Sequence, residues 1–217
     1  MKIVGFIRRR PDFTFSQFSH HWRTDHRGHA LKLDRWLKGY KQAHLLPGPI
    51  PDMQRPADGC PILWVDRAED MVELATSREF LDGAGLDEPR FMEGRSSGLA
   101  VVEEIIIPPP AVHAKKLMLF LGFRPGSPID DAPAWSTTYA SGHIRNRAVT
   151  HDDLDPAIAF DRVDEIWWPD EAAYDADRLA SLPFSQYSAI DPVRCRAALV
   201  EELVIIQPPR QAGHRAA

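Results

Sequence analysis

The pattern of apolar positions changes period twice within the first forty-five residues. KIVGFI (2–7) is a short apolar run that reads as a strand. FSQFSHHWRTDHRGHALKL (15–33) then takes up helical spacing. At 100° per residue Phe15, Phe18, Trp22, His26, His29 and Leu33 share one stripe, with His20 opposite and His21 at the margin. Thr14 suits the N-cap, Gln17 completes a capping box, and Phe13 and Phe18 occupy the staple positions. WLKGYKQAHLL (36–46) and PILWV (61–65) read as strands, EDMVELATSREFL (69–81) as a helix and LAVVEEIII (99–107) as a closing strand. The predicted order is β-α-β-β-α-β, the ferredoxin-like split βαβ arrangement.

The order then returns. VVEEIIIPPP (101–110) is answered by LVEELVIIQPP (199–209), KIVGFIRRRP (2–11) by KLMLFLGFRPG (116–126), and ILWVDRAED (62–70) by EIWWPDEAA (165–173). Two diverged copies are expected, at 1–110 and 115–209, joined by PPPAVHA (108–114) and followed by a flexible tail at 210–217. Helices on one face of a four-stranded sheet leave the other face bare, and strands such as KLMLFLGF are apolar on both sides. Two sheets packed face to face into an α+β barrel meet that demand. Pairing within one chain and pairing across a homodimer both remain open at this point.

Composition narrows the function classes. A formal charge of -5 lacks the basic footprint of a nucleic-acid binder. The two cysteines, Cys60 and Cys195, have no C-x-x-C spacing, which argues against a zinc site or disulfide framework and suits a reducing cytoplasm. No apolar run approaches the roughly 20 residues that span a bilayer. Nucleotide-binding and nucleophile-elbow motifs are missing, as is H-E-x-x-H. We therefore expect no metal and no cofactor.

The candidate chemistry lies in histidines and their neighbours. His26 sits on the apolar helix stripe, and Asp25, four residues before His29, is placed to hold that imidazole. The period of two puts Tyr40, Gln42 and His44 on one strand face, where burial requires partners or water. AWSTTYASGH (134–143) repeats the aromatic, aromatic, histidine spacing with Trp135, Tyr139 and His143, and predicts a second such helix. A hydrogen-bonded structural histidine accounts for His26 as well as a catalytic one does, and a solvated sheet edge would also explain the Tyr40 face. His20 and His21 are expected in solvent.

FIRRRPDFTFSQFSHHWRTDHRGHALKL with LKGYKQAH resembles the EthD domain family, whose pattern runs strand, R-x-P, F-x-x-x-W-x-x-x-H, then Y-x-x-x-H. Phe18, Trp22, His26, Tyr40 and His44 match it, and DEPRF (87–91) resembles the acidic turn before the family's last strand. The resemblance covers 1–107 well and 115–208 weakly: Tyr139 replaces a tryptophan, and only His151 falls near the second histidine position. It implies the dimeric α+β barrel superfamily and cofactor-free acid/base chemistry on a small aromatic or polyketide-like molecule in the barrel cavity. Haem enzymes also occur among barrel relatives, although no motif here demands haem. On this reading the chain is a lyase or isomerase of the decarboxylase, dehydratase or lactone isomerase type. His26, His44 and Tyr40 are catalytic; Phe18, Trp22, Trp64, His29, His143 and Tyr139 contact substrate. The alternatives are a non-catalytic binding or accessory protein for a hydrophobic metabolite, and a structural duplication in which the second copy merely stabilises the first.

Overall fold

A computed structural model describes residues 1–48, 50, 54–129, 135–149 and 159–209. His151 and the tail at 210–217 lie outside them. The elements run β1 (Lys2–Arg9), α1 (Phe15–Ala30), β2 (Gly39–Leu45), β3 (Gly59–Trp64), α2 (Ala68–Thr76), α3 (Gly85–Phe91), β4 (Met92–Ile107), β5 (Lys115–Leu121), β6 (Gly142–Ala148), β7 (Arg162–Trp168), α4 (Glu171–Ala180) and β8 (Arg196–Ile206). The eight strands close into one antiparallel barrel in the order β1-β3-β2-β8-β5-β7-β6-β4. Read cyclically, β4-β1-β3-β2 of the first half matches β8-β5-β7-β6 of the second. The halves meet at two seams, β2 with β8 and β4 with β6.

Alternation decides what faces the barrel axis. Val4, Ala43, Ile62, Leu99, Phe120 and Val200 belong to one buried cluster inside it. The rings of Phe6, Phe120 and Phe160 approach one another at 5.4–5.8 Å between centroids. This packed interior corrects the expectation of a substrate cavity within the barrel.

Towards one end of the barrel the inward positions become charged. Lys2 donates to Glu103 and to Glu165 (2.7 Å), and Lys116 donates to Glu165 (2.7 Å) and Glu202. Lys41 reaches Glu202 at 2.8 Å. Burial alone would raise the Glu165 carboxyl, but Lys116 and Lys2 together hold it well below the usual carboxylate range. Lys2 stacks over Trp64 and Lys116 over Trp167, at 5.2 and 4.6 Å from the ring centroids. Gly39 and Gly142 admit Pro208 and Pro110 against those same indoles, where a Cβ would collide.

Helix α1 begins as its sequence predicts: Thr14 caps Gln17 N, and the Gln17 side chain accepts from Thr14 N at 2.8 Å. The helix continues through a 3₁₀ turn at Leu31–Leu33. The predicted 69–81 helix instead breaks at Ser77. It resumes as a π-turn, Phe80–Ala84, leading into α3.

The predicted helix through Trp135, Tyr139 and His143 is not there. Trp135–Ser141 is irregular, Tyr139 sits in a turn, and His143 belongs to β6. Asp177 of α4 supplies the reason. It accepts from Ser136 Oγ (2.8 Å) and Tyr139 N (3.0 Å), long-range bonds that hold the segment as a loop, and from Trp168 Nε1 (2.8 Å) of β7. Among the described residues no helix is long and apolar enough to cross a membrane.

Candidate functional site

A cavity of about 650 Å³ lies outside the barrel, between the outer faces of β1–β4 and the layer formed by α1, α2, the π-turn and α3. Its walls are mainly apolar, with Leu33, Leu63, Leu74 and Phe91 among them. Trp22, His26 and Tyr40 bring the polar atoms that the sequence singled out, and Glu88 adds a carboxylate.

His26 reaches the cavity from the fourth turn of α1. Its Nδ1 is 3.0 Å from Asp87 Oδ2 of α3, and both groups are buried. A carboxylate only accepts, so Nδ1 carries the proton and Nε2 is left as the basic nitrogen. Burial lowers the His26 pKa below the ordinary imidazole value. The Asp87 charge works against that shift, and His29 and His21 add to it. The imidazole is neutral near pH 7 and ready to take a proton.

Tyr40 reaches the cavity from β2. Its phenol oxygen accepts from Trp22 Nε1 (3.0 Å) and Gln42 Nε2 (3.4 Å), which occupies both lone pairs. Its own proton is left for a ligand acceptor. Burial raises the Tyr40 pKa, so the group stays a neutral donor. The Gln42 amide is itself aimed: Nε2 donates to Trp22 O at 2.8 Å, and Oε1 faces His44 Nε2 at 3.3 Å. His44 Nδ1 accepts from Ser19 Oγ at 3.0 Å, and Ser19 Oγ accepts from Arg23, which forks onto Glu201 of β8 at 3.0 and 2.8 Å.

The face shared by Tyr40, Gln42 and His44 is therefore packed against α1, yet only Tyr40 lines the cavity. His44 is held beneath the Trp22 ring, 4.5 Å between centroids, and burial lowers its pKa to about 4. Phe18 is fully buried behind Trp22 and Phe91. Trp64 faces the barrel interior. His29 packs over Gly83, and its Nδ1 has no hydrogen-bond partner; Asp25 pairs with His21 (3.3 Å) instead. In the second half His143 is buried beside Asp164 at 3.6 Å, and Tyr139 is exposed. Neither belongs to the cavity, and the cluster of Leu117, Ile166, Trp168 and Phe184 fills the corresponding outer face.

Two site residues escaped the sequence reading of roles. Asp87 was visible only as part of the acidic DEPRF stretch. His21, expected in solvent, is half-buried, with Nε2 3.0 and 3.1 Å from the two Asp87 oxygens. Among the described residues, no group of three or more His, Cys, Asp or Glu is arranged to hold a metal ion.

Residues 10–95 match the EthD domain family, and this segment carries α1, Tyr40 and Asp87. No curated protein matches the sequence. The fold is similar to that of a "putative monooxygenase" from Fusobacterium nucleatum (TM-score 0.55, 10% identity, 94% of this chain and 92% of that one). It is also similar to another from Lactobacillus acidophilus (0.50, 8%, 95% and 96%). An anthrone oxidase-like protein matches at TM-score 0.52 and 11% identity, over 98% of this chain and 95% of that one.

Proposed function

We propose that the chain is a cofactor-independent lyase or isomerase that works by general acid/base catalysis on a small aromatic or polyketide-like metabolite. One observation carries the reading: a buried imidazole, oriented by a carboxylate, shares an apolar cavity with a phenol whose proton is free. His26 Nε2 takes a proton from a carbon or hydroxyl activated by a neighbouring carbonyl, and Asp87 stabilises the imidazolium so formed. Tyr40 donates to the oxygen on which negative charge gathers. His26 then returns the proton to another position, or to a leaving hydroxyl, so that one group serves as base and then acid. Trp22 and Phe91 supply flat apolar walls.

The test incubates wild type and His26→Gln with a pool of phenols, aromatic ketones, lactones and polyketide-like compounds. Mass, isomer position and dioxygen uptake are followed. Loss of water or a shifted isomer with wild type, reduced about 10²–10⁴-fold in His26→Gln, supports the proposal. Dioxygen uptake would redirect it towards the oxygenase activities named for the structural neighbours. Retention of an unaltered compound by both proteins would favour a binding or accessory role.

We also propose that the two halves are diverged copies of one unit. Lys2 and Gly39 both face Trp64 across the ladders of the first half, as Lys116 and Gly142 face Trp167 in the second. Glu103 and Glu202 then pair with the respective lysines.

A further inference from the structure

We propose that His21 is a positioning residue of this site: it clamps Asp87 alongside His26, and the two imidazoles compete for one carboxylate. The inference rests on the role given above to His26 and Asp87. His26 uses Oδ2 alone, whereas His21 Nε2 lies within hydrogen-bond distance of both oxygens. The Asp87 side chain is almost wholly buried, so its charge is compensated by these neighbours rather than by water.

Phe91 holds the pair in register. Its ring is stacked with His21 at 4.9 Å and tilted against His26 at 5.0 Å. His21 is also the outward-facing member, with Nδ1 3.3 Å from the exposed Asp25 carboxylate. Arg90 of α3, 3.9 Å from Asp87, and His29 of α1 also face the cluster, and Glu88 of α3 lines the same cavity as His26. His21 shares Asp87 with His26 and, through its charge, lowers the basicity of its buried neighbour. A side chain at this position that only donates a hydrogen bond leaves more of the carboxylate's charge to His26.

Nitrogen-detected NMR titration of the full chain reads this directly, with the imidazole signals lost in His26→Gln and His21→Gln used for assignment. His21→Gln keeps a donor for Asp87 but cannot ionise, and we expect the His26 midpoint to rise by about half a pH unit or more. His21→Phe keeps the stack on Phe91 and donates nothing. The carboxylate is then free to turn, and His26 changes from the Nδ1–H tautomer to a mixture. A His26 midpoint that stays put or falls in His21→Gln overturns the proposal, as does a wild-type tautomer in His21→Phe. Asp87→Asn separates the two levels of inference: if it leaves His26 unchanged, the His26–Asp87 dyad and the function built on it fail. A response to Asp87→Asn without one to His21→Gln sinks only the role of His21.

Discussion

His44 shows what a buried imidazole costs when it has no carboxylate. Its pKa is about 4 in the folded chain against 6.5 in the unfolded one. Between those values the unfolded chain holds a proton that the native state refuses. Stability therefore falls as pH drops through 6.5 towards 4, by about 3 kcal/mol from this residue, and its contribution is constant below that window. His26, also lowered, adds in the same direction. Urea unfolding of His44→Gln at pH 7 and pH 4.5 should show a smaller difference than wild type does. At this scale the sequence was informative about phase and silent about partners. The helical period put His26 on the apolar stripe of its helix, and the strand period put Tyr40 and His44 together on one face. The carboxylate that orients His26 lies 61 residues further on, where no local pattern links the two. His44 and Tyr40 look equivalent in Y-x-x-x-H, but burial under Trp22 makes one a support for Gln42 and the other a ligand-facing donor.

The distance between α1 and the sheet is set by Gly59. A Cβ there would strike the Trp22 ring, so glycine is what allows the indole to lie flat on β3 and reach Tyr40. Gly59→Ala should cost about 1–3 kcal/mol and should loosen the Trp22–Tyr40 bond, seen as a changed indole fluorescence maximum together with a lower thermal midpoint. At the other end of the scale, Thr14→Ala removes the cap of the same helix and should cost about 1 kcal/mol in denaturant unfolding. Helix α1 was legible to within its 3₁₀ extension, because capping box and stripe agree. The same stripe misled in AWSTTYASGH. Spacing of i, i+4, i+8 is met there by a bend, a turn and a strand, and the residues between are mostly serine and threonine with a glycine, while Ser136 Oγ and Tyr139 N bond Asp177. A helix needs its intervening positions to favour helix as well, and these do not.

For the whole molecule, the charged layer inside the barrel is the least replaceable part. Lys116 is completely buried and serves both Glu165 and Glu202. Burial alone would lower its pKa, but the two carboxylates outweigh that and raise it. Lys116→Met should destabilise by about 3–5 kcal/mol, because two carboxylates lose their shared cation while remaining enclosed. The loss should lessen at low pH once one of them can bind a proton, which a denaturation series from pH 7 to pH 4 would measure. Strands apolar on both faces announced a closed barrel correctly. They concealed the location of the cavity for the same reason: when both faces of a strand are apolar, pattern cannot say which one meets helices and which meets the opposing sheet.

The two seams also fix when the barrel can form during synthesis. β2 and β4 are complete once the ribosome has passed residue 107, but their partners β8 and β6 end at residues 206 and 148. Until then a nascent chain carries two bare strand edges that run in opposite directions. Such edges invite pairing with another chain as readily as with their own. The period of greatest risk for this protein is therefore its translation, and a product halted near the proline-rich linker should be found joined to copies of itself.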